Sequence, residues 1–136
     1  MKIKIIPFNK DLDLPVRKHY NDAGADVFCP QDTFIGAGKT EKIPLGFGVE
    51  IPDGYMGLIY SRSGLSSEGL ACEMPPIDSG YRGEIHAVIT NHSDEAVVFE
   101  AGQRIGQLVI QPIVIAEYVT ELGESRGDGA FGSTGV

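Results

Sequence analysis

No apolar stretch of this chain runs beyond a handful of residues before Gly, Pro or Asp interrupts it. Such punctuation leaves room for short strands and very little for helices. Segments rich in Val, Ile and Phe recur at Ile3–Phe8, Ala25–Cys29, Thr33–Ile35, Lys39–Pro44, Gly46–Ile51 and Tyr55–Tyr60. They continue at Glu84–Asn91, Ala96–Phe99 and Arg104–Ile115. Their spacing predicts an all-β domain, either a sandwich, a jelly roll or a small barrel. Pro52-Asp53-Gly54 and Asn91-His92-Ser93-Asp94 have the residues of hairpin turns. Helix is expected only as one or two turns around Leu65–Leu70, where Ser63, Ser66 and Ser67 could cap amides. Arg104–Ile115 is too apolar for an exposed strand, so it is expected in the centre of the sandwich or against another subunit.

A chain of 136 residues that is 42% hydrophobic makes one globular domain with a real core. Its apolar runs are too short to cross a bilayer, and Met1-Lys2-Ile3-Lys4 has no signal-peptide pattern, so a cytoplasmic protein is expected. Cys29 and Cys72 are far apart and form neither a CxxC motif nor a disulfide framework; reduced thiols are expected. His19, His86 and His92 lack metal-ligand spacing and read as surface or rim residues. The net charge of −8 argues against a nucleic-acid surface, which needs a cationic footprint. It does not argue against a single nucleotide, for which a few arginines and a divalent cation suffice.

Three stretches carry groups suited to such a ligand. The chain ends in R-G-D-G-A-F-G-S-T-G-V, Arg126 to Val136. Alone this is a glycine-rich terminus. Yet it combines a guanidinium for phosphate, a ring that can stack on a base, and hydroxyls for anionic oxygens. Residues 126–136 therefore read as an arm closing over a phosphorylated substrate, and 1–125 as the β domain. Ile77-Asp78-Ser79-Gly80-Tyr81-Arg82-Gly83 places an acid between a strand end and a tight turn, where an Asp is usually a backbone cap. Tyr60-Ser61-Arg62-Ser63-Gly64 runs from a strand into an expected helical turn, as an anion cradle does; the plain reading is a capped loop with a surface Arg.

In order, the chain shows A-G-A-D (Ala23–Asp26), S-R-S-G-L (Ser61–Leu65), I-D-S-G-Y-R-G (Ile77–Gly83), G-Q-R-I-G-Q-L (Gly102–Leu108) and R-G-D-G-A-F-G-S-T-G (Arg126–Gly135). This set resembles the five ordered motifs of the homotrimeric dUTPases, which hydrolyse dUTP to dUMP and pyrophosphate. The resemblance covers nearly the whole chain. It implies a distorted jelly-roll or β-barrel fold with very little helix. It also implies a homotrimer with shared active sites, Mg²⁺ as cofactor, and a role in limiting uracil in DNA while supplying dUMP for thymidylate synthesis.

Residue by residue, the resemblance makes Asp78 the carboxylate that orients and deprotonates the attacking water. An aspartate is a weak base, so positioning of the water supplies most of its effect. Arg62, Ser63 and Gly64 match the phosphate-binding motif, with Ser63 near the bridging oxygen. Gln107 matches the residue contacting the phosphates or the metal's water shell, and Asp26 an acid that supports hydrated Mg²⁺ through water. Tyr81 matches the ring beneath deoxyribose, which excludes a 2′-hydroxyl. Arg126 matches the tail Arg on the polyphosphate, Phe131 the ring over uracil, and Gly132, Ser133 and Thr134 the contacts at the γ-phosphate end. In the family the first, second and fourth motifs come from one chain, the third from a neighbour and the tail from the remaining subunit.

The chain departs from the family pattern before the catalytic acid. A glycine is usual there, in a hairpin whose backbone reads uracil, but here the run is Cys72-Glu73-Met74-Pro75-Pro76-Ile77. Proline has no N–H to donate, so Met74, Ile77 or a side chain must take over some of that recognition, with Pro76 and His86 also expected at the substrate. Gly80 stands where an acid is common, and Ala130 where glycine is frequent. The rival activity on this fold is dCTP deamination, which relies on an Arg and a Glu at intervals that here hold Ser67 and Val88. Neither can polarise water for attack on C4. A nucleotide-binding regulatory protein is the third class, against which the joint presence of Arg62, Asp78 and Arg126 argues.

Overall fold

Burial alternates along His86–Asn91, the period-two pattern of a strand with one wet face, whereas Phe47–Val49 and Gly57–Ile59 are buried on both faces. The computed structural model describes residues 1–121 and 123. Its strands are β1 (Lys4–Pro7), β2 (Ala25–Phe28), β3 (Thr33–Ile35), β4 (Thr40–Pro44), β5 (Phe47–Glu50) and β6 (Tyr55–Tyr60). After the helix α1 (Ser63–Ser67) follow β7 (Leu70–Glu73), β8 (His86–Asn91), β9 (Val97–Phe99) and β10 (Arg104–Pro112).

All pairings between these strands are antiparallel, in the orders β1-β5, β2-β10-β6, β3-β9 and β4-β8-β7. Strands far apart in sequence are thus neighbours in space, as in a distorted jelly roll. The four sheets stay separate, so the closed-barrel alternative does not hold. β10 is the middle strand of its sheet, which accounts for its apolar sequence. Beyond it Val114, Ile115 and Tyr118 are exposed in the single chain. The core between the sheets contains Val27, Ile35, Phe47, Val49, Ile89, Phe99 and Ile105. Cys29 and Cys72 are free and buried within it.

Three local expectations are corrected. Pro52-Asp53-Gly54 makes a turn, with the Tyr55 N–H donating to Pro52 O at 3.2 Å, but it joins β5 to β6, which belong to different sheets. Likewise Asn91-His92-Ser93-Asp94 leads from β8 to β9, again in different sheets. Both are corners rather than hairpins. Asn91, fully buried, secures the second corner. Its Nδ2 donates to Ile35 O (3.1 Å) and Glu95 O (2.7 Å), and its Oδ1 accepts from the Ser93 N–H (3.0 Å) and Oγ (2.6 Å). The helix starts at Ser63 and ends before Leu70, because Leu70–Glu73 pairs with β8. Ser66 and Ser67 do not cap amides: their hydroxyls donate to Arg62 O and Gly64 O.

Candidate active site

A turn sets the position of Asp78. Ile77 is bridged to Gly57 of β6 in both directions, its N–H donating to Gly57 O at 2.8 Å and its C=O accepting from the Gly57 N–H at 3.0 Å. The Tyr81 N–H then closes on Asp78 O at 3.1 Å. Ser79 Oγ ties the turn to Asp53 Oδ1, and Arg82 ties it to Ser79 O and to Glu50 of β5. The backbone around Asp78 is therefore held at several points. The Asp78 carboxylate is exposed and has no hydrogen-bond or ion-pair partner among the described residues.

Beside it opens a cavity of about 210 Å³, lined among others by residues 75–78 and 84–86. Pro76, Ile77, Asp78, Tyr81 and His86 all line it, so five of the expected residues meet in one place. Tyr81 lies flat over Gly83, where a Cβ would come within 2.5 Å of the phenol oxygen, and its hydroxyl donates to Glu84 O at 2.9 Å. The second glycine of G-Y-R-G thus exists to let the ring lie down. Met74 is exposed and does not line the cavity. Val88 does, but it presents only an apolar side chain there.

Asp26, Arg62, Gly64 and Gln107 belong to a second group, none of which lines that cavity. β10 gathers them: Gln107 is the register partner of Asp26 on β2 and of Tyr60 on β6. Arg62 follows Tyr60 directly across Ser61 and holds the N-cap position of α1 in extended conformation. The first amides to bond back, those of Leu65 and Ser66, both reach Arg62 O, which leaves the amides of Ser63 and Gly64 outside the helix's own ladder. Arg104 Nη1 donates to Asp26 Oδ2 at 3.1 Å. The Gln107 side chain lies over Gly24, where a Cβ would meet its Oε1 at 2.9 Å. Arg126, Phe131, Gly132, Ser133 and Thr134 lie outside the described residues.

The dUTPase family model matches residues 10–135. A deoxyuridine 5'-triphosphate nucleotidohydrolase of Clostridium tetani is 43% identical, over 99% of this chain and 96% of its own length. Another, from Corynebacterium glutamicum, is 41% identical over 98% and 94%. The chain belongs to the dUTPase family. Among solved structures it is similar to a variant of the Staphylococcus bacteriophage 80alpha dUTPase with dUpNHpp, with a TM-score of 0.84, 32% identity and 99% of each chain covered. A variant dUTPase from phage phi11 of S. aureus, described for its coordination of a structural Mg(II) ion, has a TM-score of 0.84 and 26% identity. The alignment to the latter covers 93% of this chain and 99% of the phage one.

Both groups of residues fall within the dUTPase match. Sequence reasoning missed Lys42 of β4, Glu73 of β7 and Glu84, all of which line the cavity. Lys42 and Glu73 share the register partner Val88, so they flank it across β4-β8-β7. Nothing in their local sequence marks them, because the strand pairing alone brings them there. Gly24 was legible as part of A-G-A-D, but its reason, the overlying Gln107, was not. Cys72 lies behind the second motif, its N–H donating to Ser61 Oγ at 2.6 Å. Burial pushes its thiol above the ordinary range, with the Ser61 hydrogen bond acting in the opposite direction.

Proposed function

We propose that this chain hydrolyses dUTP to dUMP and pyrophosphate, with Asp78 holding and deprotonating the water that attacks the α-phosphorus. The observation that carries the reading is the Asp78 carboxylate, unpartnered among the described residues, on a turn pinned at both ends and opening on a cavity of about 210 Å³. A base must reach its water without being engaged elsewhere, and rigid support makes positioning effective. Tyr81, fixed over Gly83, takes the underside of deoxyribose and leaves no space for a 2′-hydroxyl. A nucleotide that strands a polar group there loses about 1–3 kcal/mol. Arg62, the amides of Ser63 and Gly64, and Gln107 take the polyphosphate. Arg126, Phe131, Gly132, Ser133 and Thr134 complete the site from the tail.

The phosphate-binding group does not line the Asp78 cavity, which supports a site built from more than one chain. We assign the assembly as a homotrimer in which the cavity of one subunit faces the Asp26–Arg62–Gln107 group of its neighbour. Among the described residues no cluster of three or more His, Cys, Asp or Glu is placed to hold a metal. That donor set does not suit an all-protein cage. It does fit Mg²⁺, which keeps most of its waters and binds mainly through substrate phosphates, with Asp26 supporting it through water from the carboxylate oxygen that Arg104 leaves open. When bound, Mg²⁺ stabilises the negative charge of the departing pyrophosphate.

Deamination has no support: Val88 carries no proton-transfer group, and the Ser67 hydroxyl donates to Gly64 O. The reading is tested by pyrophosphate release with Mg²⁺ from dUTP, UTP, dCTP and dTTP. Strong preference for dUTP is expected; equal turnover of UTP would remove the role given to Tyr81. A folded sample inert toward all four would remove the activity altogether.

A further inference from the structure

One wall of the Asp78 cavity is poor in hydrogen-bond donors. Pro75 and Pro76 have no N–H, and the Ile77 N–H is committed to Gly57 O at 2.8 Å. Uracil presents two carbonyl oxygens on either side of its N3–H, so a pocket reading that edge needs a donor beside an acceptor. Three lining side chains carry donors: Lys42, Tyr81 and His86. The Tyr81 hydroxyl is used by Glu84 O at 2.9 Å. His86 Nδ1 lies 3.1 Å from the same carbonyl, and a carbonyl only accepts. Nδ1 therefore carries a proton, and in the Nδ1–H tautomer Nε2 is an acceptor. Lys42 alone of the three has no hydrogen-bond or ion-pair partner among the described residues.

Resting on the hydrolase reading above, we infer that Lys42 donates a hydrogen bond to O4 of the uracil ring, with His86 Nε2 accepting from N3–H. The register places the pair. Lys42 faces Val88, and His86, two residues along β8, faces Pro44, two residues along β4. The two side chains are thus diagonal neighbours on one face, a separation of about 7–8 Å that a lysine spans. Glu84 O fixes the His86 ring from behind. Cytosine inverts both positions: its C4 amino group meets the ammonium, and its unprotonated N3 meets Nε2. Two mismatches at one edge make a site that selects against cytosine as well as for uracil.

The experiment measures kcat/KM by pyrophosphate release for dUTP and dCTP in the wild type, Lys42→Met and Lys42→Arg. Wild-type turnover of dUTP is the control for the underlying reading, and its absence overturns that reading regardless of Lys42. Lys42 is exposed on β4, so both variants keep the fold, which circular dichroism verifies. Lys42→Met is expected to lose about tenfold or more in kcat/KM for dUTP, mainly through KM, with no loss for dCTP. Lys42→Arg, which keeps a cationic donor, is expected to retain most of the dUTP preference. An equal loss on both nucleotides would show that the ammonium serves the phosphates and overturns the proposal. An unchanged dUTP:dCTP ratio in Lys42→Met overturns it as well.

Discussion

At the scale of single residues, chemistry and support are separable in the turn that carries Asp78. Ile77, Ser79 and Arg82 hold the backbone, and none of their bonds uses the Asp78 carboxylate. Asp78→Asn should therefore leave the turn intact and remove only the base. Its kcat for dUTP is expected to fall by about 10²–10⁴-fold, the usual contribution of a positioned base, while KM stays within a few-fold. Steady-state kinetics with an isothermal titration of a non-hydrolysable analogue checks both halves. Asp78 and Tyr81 were legible in the sequence because one short turn holds them both. Lys42 and Glu73 were not, since each reaches the cavity only through its pairing with β8.

At the scale of elements, most strands were legible from their Val, Ile and Phe content, and β3 and β6 keep the expected bounds. β7 was missed. Its Leu70 and Cys72 alternate inward as a strand requires, but Leu-Ala-Cys-Glu has weak strand propensity and follows a serine-rich turn. The two corners were misread because turn residues report a reversal of direction and not which sheet the next strand joins. The second corner depends on Asn91. Asn91→Ala strands the carbonyls of Ile35 and Glu95 and the Ser93 donors, so a loss of about 1–3 kcal/mol is expected from urea unfolding. β7 gives a pH-dependent prediction. Burial disfavours the Cys72 thiolate in the folded chain. Below the ordinary thiol range, about 8.5, both states keep the proton and stability is flat. As pH rises past it, the unfolded chain loses the proton first and stability falls until the folded thiol also titrates. Urea midpoints at pH 7.5 and 10 should show a drop that is smaller in Cys72→Ala; an identical drop removes Cys72 as its cause.

At the scale of the whole molecule, Asp78 and Arg62 do not share a cavity, although the proposed reaction needs both. A heterologous interface repeated around a threefold axis brings unlike surfaces of identical chains together. In that arrangement a site is damaged by either Asp78→Asn or Arg62→Ala, but the two lesions fall on opposite sides of the boundary. Co-refolding equal amounts of the two inactive variants should then restore activity. A site is whole only where an Asp78→Asn chain supplies its intact Arg62 and the neighbouring Arg62→Ala chain supplies its intact Asp78. Random mixing gives each condition a chance of about one half, so recovery of roughly one quarter of wild-type turnover is expected from the symmetry alone. Sites built within one chain predict no recovery at any ratio, since every chain in the mixture carries a lesion. Turnover measured across mixing ratios should peak at equal amounts and vanish at both ends, a profile that a contaminating wild-type enzyme could not produce.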